Sequence, residues 1–223
     1  MKKATLTLLM FLSSIFLIGQ ELDETYYLLG SLEDYMGRHY PKNNPSKWGY
    51  IMTLHEDRMG EIKRIEQVTG MTFERSKKKN DCSNCHEFFE LNSLFKAKRL
   101  NSFYDFEKNK GMKDLMGFTF YTGELIAEKI LNAHKEEQIS FLAGQFLTSG
   151  DRSGENYKIS LYNSPDRYEI IIKLLKELDC MIVMNEKRDA IPVGYFIEFK
   201  PTNEIKEVLE NEIRKKNTLA NKT

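Results

Sequence analysis

The run Phe141-Leu142-Ala143-Gly144-Gln145-Phe146-Leu147-Thr148-Ser149-Gly150 closes a stretch, Glu136 to Leu147, that reads as a helix with a glycine-rich exit turn at Gly150 and Gly154. Downstream the pattern changes. Tyr157–Tyr162 (YKISLY) alternates like a strand. Ser164-Pro165 then opens a helix, with Ser as N-cap and Pro at the first helical position, and Ile170, Ile171, Leu174 and Leu178 mark its apolar face. Cys180–Met184 and Tyr195–Phe199 read as two more strands around a charged turn that holds Pro192. A last helix runs from about Asn203 to Lys215, and residues 217–223 form a frayed tail. The order helix-strand-helix-strand-strand-helix predicts a small α/β-sandwich-like C-terminal domain over residues 136–216.

Upstream, residues 20–135 predict a mainly helical region. Leu22, Tyr26, Leu29, Leu32 and Met36 recur at three- and four-residue spacing. Ser46 to Val68 reads as a second helix with Ile51, Leu54, Ile62 and Ile65 inward, and Asp81 onward as a third with the stripe Phe88, Leu91, Phe95. Thr122 to Ala133 reads as a further helix. The fold class is therefore α+β, and no internal repeat is visible.

The helix at 141–150 resembles the LAGLIDADG helix of homing endonucleases. Leu142, Ala143, Gly144 and Gly150 match that motif, and the elements to about residue 210 are similar to the catalytically inactive versions in bacterial DNA-binding regulators. The resemblance implies that small residues let two helices pack closely. It also puts the position of the metal-binding acid on Ser149, so nuclease activity is not implied, with Asp151 lying beyond it.

Lys+Arg and Asp+Glu are both 33, which gives the whole chain no support as a polyanion binder while leaving local patches open. At the N-terminus, Lys2 and Lys3 precede an uncharged apolar run from Ala4 to Gly19. Residues 1–19 read as a cleaved bacterial signal peptide, the alternative being a retained anchor. Cleavage would remove two cations and leave a net charge of −2 (31 basic against 33 acidic) on an exported, periplasmic or extracellular protein without a further membrane span.

Cys82-Ser83-Asn84-Cys85-His86 fits C-x-x-C-H, which resembles the haem attachment site of c-type cytochromes. Two cysteines three apart on a helical turn point the same way and reach two porphyrin vinyl groups. The adjacent His86 would then be the proximal ligand of the haem iron. Met112 or Met116 is the candidate distal ligand, with His39, His55 and His134 as alternatives. The cations Arg75, Lys77, Lys78, Lys79, Lys96, Lys98 and Arg99 would ring the haem edge and steer an acidic redox partner, or simply form a solvated surface. Without haem, Cys82 and Cys85 read as a disulfide, a redox-active dithiol or metal-binding thiols. Cys180 opens an apolar strand and reads as a buried small hydrophobe.

No G-x-S-x-G, phosphate loop or H-E-x-x-H occurs, so the sequence points away from an enzyme. Two expectations follow. One is an exported single-haem c protein of electron transfer. The other is a cofactor-free exported binding or structural protein with a Cys82–Cys85 disulfide and an unknown protein partner. Neither favours nucleic acid, which would require the N-terminus not to be a signal.

Overall fold

The computed structural model describes residues 21–42, 44–76, 87–106, 111–113, 117 and 119–221. The expected leader at 1–19 and the segment Cys82–His86 lie outside the described residues, as does Met116.

Helix α1 (Glu24–Ser31) starts where the Asp23 carboxylate accepts the backbone N–H groups of Thr25 and Tyr26, both at 2.9 Å. Strand β1 (Arg38–Pro41) follows, then β2 (Tyr50–His55), α2 (Met59–Thr69), β3 (Glu74–Arg75), β4 (Phe88–Asn92) and α3 (Leu94–Asn101). Next come β5 (Tyr104–Phe106), β6 (Met112–Lys113), β7 (Thr119–Leu125) and the single turn α4 (Glu128–Leu131). The rest is α5 (Lys135–Ser149), β8 (Gly150–Ser153), β9 (Asn156–Tyr162), α6 (Pro165–Glu177), β10 (Met181–Arg188), β11 (Gly194–Lys200) and α7 (Asn203–Ala220).

The fold class is α+β, as expected. The second half has the expected element order with one extra strand, β8, which pairs with β9. The first half holds more strand than its periodicity suggests. Residues 50–55, expected inside a helix from Ser46 to Val68, form β2, and the helix begins only at Met59. Residues 88–92, expected in a third helix, form β4 against β2, with Leu54 opposite Phe89 and Met52 opposite Leu91. Ser93 then caps α3 by accepting the N–H of Lys96, which splits one apolar run into a strand and a helix. Thr122 likewise falls in β7 rather than in a helix.

Among the described residues three antiparallel sheets result: β1-β7-β5 with β6 also on β7, β10-β11-β9-β8, and β2-β4-β3. The first two share a plan. In the second half β9 pairs β11 and β11 pairs β10, with α6 between β9 and β10. In the first half β1 pairs β7 and β7 pairs β5, with α3 leading into β5. Between β1 and α3 the chain adds β2, α2, β3 and β4, which form the third sheet and its helix. The repeat that the sequence hides is therefore present in the backbone: α1 corresponds to α5, α3 to α6, β7 to β11.

The core sits between these layers. Tyr157, Ile159 and Leu161 of β9 and Ile197 and Phe199 of β11 are buried against Ile170, Ile171 and Leu174 of α6 and against Phe146 of α5. Alternation along each strand puts one set inward and leaves the other face open. Helices α1 and α5 are buried all round, which fits their place at the centre.

Candidate functional site

The two central helices cross at Gly30 and Gly144. A Cβ on Gly30 would lie 2.0 Å from the Phe141 carbonyl oxygen and 2.9 Å from the Gln145 nitrogen. A Cβ on Gly144 would lie 2.0 Å from the Tyr27 carbonyl oxygen and 3.0 Å from the Ser31 nitrogen. One constant sequence offset converts Tyr27, Gly30 and Ser31 into Phe141, Gly144 and Gln145, so the contact is two-fold symmetric in residue as well as in shape. The close packing expected from the helix resemblance is present. Its partner is the first helix of the same chain.

Just past the end of α1 sits a buried polar cluster. Asp34, at a φ of 40°, accepts hydrogen bonds from Arg167 Nη2 at 2.5 Å and from the Tyr104 hydroxyl. Arg167 Nη1 also donates to the Leu29 carbonyl at 3.2 Å and to Gln145 Oε1 at 3.0 Å. Arg167 comes from α6, so one guanidinium ties the second half to the end of the first helix. Its burial opposes the charge, but Asp34 and Tyr104 more than offset this and raise its pKa. Burial, together with the charge of Asp34, pushes the Tyr104 hydroxyl well above the ordinary range. Arg167 Nε has no hydrogen-bond partner among the described residues.

The ends of the two helices open on a cavity of about 320 Å³ lined by Glu33, Tyr35, Thr148, Ser149, Ser160 and Tyr162, among others. The offset that relates the helices places Tyr35 where the second helix has Ser149. Neither position carries a carboxylate. The acids nearby are engaged: Glu33 pairs with Arg58, Asp34 with Arg167, and Asp151 Oδ1 accepts the Arg152 N–H at 2.7 Å. Among the described residues no group of three or more His, Cys, Asp or Glu is arranged to hold a metal ion. A divalent metal of the nuclease type needs hard carboxylate oxygens, and the two symmetry-related positions, Tyr35 and Ser149, do not supply them.

The open face of the sheet β10-β11-β9-β8 carries a different arrangement. Register puts Phe196 opposite Ser160 on one side and Glu186 on the other. The Lys158 ammonium lies 5.1 Å from the Phe196 ring centroid and the Arg188 guanidinium carbon 4.5 Å from it. Tyr162 meets the same ring edge-on at 6.1 Å. Arg188 is held by Glu186 at 2.8 Å, and Glu198 accepts from the Asn156 amide at 2.6 Å. Aromatic rings, cations and the carboxylates of Asp151, Glu186 and Glu198 thus share the open face of this sheet.

The residues singled out in the sequence are dispersed. Cys82, Cys85, His86 and Met116 lie outside the described residues. Met112 projects from β6 opposite Phe120 and is exposed. His39 and His55 lie tilted against Phe120 and Phe88 with centroids 4.5 and 4.3 Å apart. The His134 backbone N–H donates to Glu137 at the start of α5. Lys96 pairs with Glu24 and Arg75 with Glu87. Cys180 is free and buried. Sequence reading missed Gly30, Arg167 and Phe196. A signal for the first was present, since Tyr27-Leu28-Leu29-Gly30-Ser31 matches Phe141-Leu142-Ala143-Gly144-Gln145 in its aromatic, its Leu and its Gly.

The sequence matches no family model and no curated protein. Solved structures do match in shape. One is a variant of the homing endonuclease I-DmoI in complex with its target DNA in the presence of Mg, at 15% identity and a TM-score of 0.50, covering 83% of this chain and 93% of that one. Another is I-DmoI in complex with DNA and Mn, at 15% identity and a TM-score of 0.49, covering 83% of this chain and 93% of that one. The likeness is one of fold, and it is consistent with the LAGLIDADG-like fold reading of residues 136–210.

The DNA-bound neighbour in the presence of Mg overturns the expected haem c electron-transfer function, its haem cofactor and its redox partner. The expectation that nucleic acid is not favoured is overturned as well. The physical reason is one of scale. The C-x-x-C-H spacing describes a single turn of chain, whereas the matched fold describes how most of the chain packs.

Proposed function

We propose that the chain binds double-stranded nucleic acid through the open face of the sheet β10-β11-β9-β8 and does not cleave it. The observation that carries this reading is the Phe196 cluster, in which Lys158 and Arg188 flank one exposed-face ring beside Tyr162. Cations on a strand surface supply phosphate contacts, and an aromatic ring supplies an apolar contact to sugar or base edge. The DNA-bound neighbour of similar fold supports it. The zero net charge is compatible because local groups, not the total, set phosphate contacts. With two cations at the centre, one of them also paired with Glu186, the slope of log affinity against log salt is shallow, no steeper than about −2. The lack of cleavage rests on Tyr35 and Ser149, the paired positions at the helix ends that carry no carboxylate, and on the engagement of the neighbouring Glu33 and Asp34 with Arg58 and Arg167.

Fluorescence anisotropy of a labelled duplex across a salt titration tests the binding. The expected result is retention at low salt, a slope within that bound, and loss of about one unit of slope in Lys158→Gln. Phe196→Ala should weaken binding without changing the slope. Wild-type affinity in both variants, or no retention at low salt, removes the reading. Incubation with supercoiled DNA and Mg²⁺ or Mn²⁺ should leave it intact, and nicking would overturn the non-cleaving part.

A further inference from the structure

On the open face of the sheet β10-β11-β9-β8, Glu186 and Arg188 stand two residues apart on β10 and so point to the same side. Register places Glu186 opposite Phe196 and Arg188 opposite Gly194, and Gly194 in turn lies opposite Tyr162. The ring uses the room that Gly194 leaves. A Cβ there would fall 2.8 Å from Phe196 Cε2 and 3.0 Å from its Cζ, so the bare position lets the ring lean along the strand toward Arg188 and Tyr162. The Arg188 guanidinium carbon then sits 4.5 Å from the ring centroid. One edge of the guanidinium is fixed as well. Its Nε donates to Glu186 Oε1 at 2.8 Å and its Nη2 to Oε2 at 2.9 Å, a paired contact along one side of a planar group.

Glu186 takes one N–H from Nε and one from Nη2, which leaves both on Nη1 and the second on Nη2. Those remaining donors form a fork at the tip of a side chain that is 59% exposed. Hydrogen bonds from Arg188 hold the Glu186 carboxyl below its usual value, although desolvation works against them, so the carboxylate stays ionised and the pair has no net charge. A phosphate gains little from a cation already neutralised, and the Glu186 carboxylate repels it. A neutral acceptor meets no such repulsion. Guanine offers two of these, O6 and N7, side by side on its major-groove edge and matched to a guanidinium fork.

We propose that Arg188 reads a guanine in the major groove of the bound duplex through its Nη1 and Nη2 groups, with Glu186 and Phe196 as positioning residues that fix the edge and the face of the guanidinium. The inference rests on the nucleic-acid reading above and divides the two cations beside the ring, Lys158 remaining against phosphate. One ligand reaches both because both flank Phe196 on the same face.

The full chain is titrated by fluorescence anisotropy with a labelled G·C-rich DNA duplex and with the same duplex in which 7-deazaguanine replaces guanine. That replacement removes the N7 acceptor and keeps the base pair. The expected result is about tenfold weaker binding of the 7-deazaguanine duplex, since one of the paired hydrogen bonds to the base is lost. Arg188→Lys keeps the charge without the fork and should remove the difference between the duplexes. Glu186→Gln frees the charge of Arg188, so it should narrow the difference and steepen the salt slope by about one unit, which a merely structural role for Glu186 would not do. Lys158→Gln should weaken both duplexes alike. Equal wild-type affinity for the two duplexes, or a difference that survives in Arg188→Lys, overturns this inference and leaves the binding reading intact. An unchanged slope with an undiminished difference in Glu186→Gln overturns the positioning by Glu186. No binding of either duplex at low salt removes both readings.

Discussion

The Cβ that Gly144 lacks would fall 2.0 Å from the carbonyl oxygen of Tyr27, and this one distance sets how closely the two halves of the chain approach. The obstacle is backbone, not a flexible side chain, so it cannot swing away. Gly144→Ala and Gly30→Ala should therefore each force the central helices apart and cost at least about 3 kcal/mol, the upper end of what overpacking a core usually costs. Gly154, at a φ of 64° with nothing within 4 Å of its missing Cβ, is the comparison. Gly154→Ala should cost only about 1 kcal/mol, from its left-handed backbone. Urea unfolding of the three variants checks the ranking, and a Gly144→Ala protein as stable as wild type would refute the symmetric contact.

Arg167 and Asp34 form the second tie between the halves. With Arg167 and Asp34 side chains 1% and 10% exposed, removing either partner strands a buried charge. Arg167→Met and Asp34→Asn should each destabilise by about 3–5 kcal/mol. The double variant should cost less than the sum by roughly 1–3 kcal/mol, since neither charge is then left alone. Additive losses in the double-mutant cycle would show that the two side chains act independently.

His39 makes stability depend on pH. Desolvation, with a further push from Arg38, lowers its pKa below the ordinary 6.5 despite the opposing charge of Asp34. The unfolded chain then binds the proton more readily than the folded one, so stability rises with pH through this window. The contribution is fully present above pH 6.5 and is lost as pH falls through the lowered folded value. Thermal melts between pH 7.5 and about 5 should fall more steeply for wild type than for His39→Gln. Parallel curves would place the acid sensitivity elsewhere.

Cys180 is 6% exposed, and burial raises its thiol pKa. In a Cys82→Ser/Cys85→Ser background a thiol reagent should label Cys180 only as fast as the protein unfolds, with the labelled fraction tracking the urea transition. Rapid labelling under native conditions would mean that the end of α6 opens locally.

The second half was largely legible because its signals are local. The Ser164-Pro165 start and the 170/171/174 stripe of α6 sit within a few residues of one another. The alternation of β9 and β11 is written into consecutive positions. The run 46–68 was harder for a definite reason. Ile51, Leu54, Ile62 and Ile65 satisfy a helical spacing, yet residues 50–55 pair with β4, more than thirty positions downstream. Long-range pairing outweighed local periodicity there, as it did where Ser93 divides β4 from α3. The site was less legible still. Phe196 reads as one aromatic in a strand until register brings Lys158 and Arg188 to its two sides.

By itself the sequence determined the α+β class, the glycine-marked run at 141–150 and the presence of Ser149 rather than an acid near its end. These depend on residue type and on spacing over a few turns. Only the tertiary structure decided that Gly30 is the counterpart of Gly144, and hence that Tyr35 is the counterpart of Ser149 and that the chain is a folded pair of related halves. The two helices are separated by more than a hundred residues and share little beyond one aromatic, one Leu and one Gly. What relates them is backbone contact, which a glycine permits from either side and which no local pattern records.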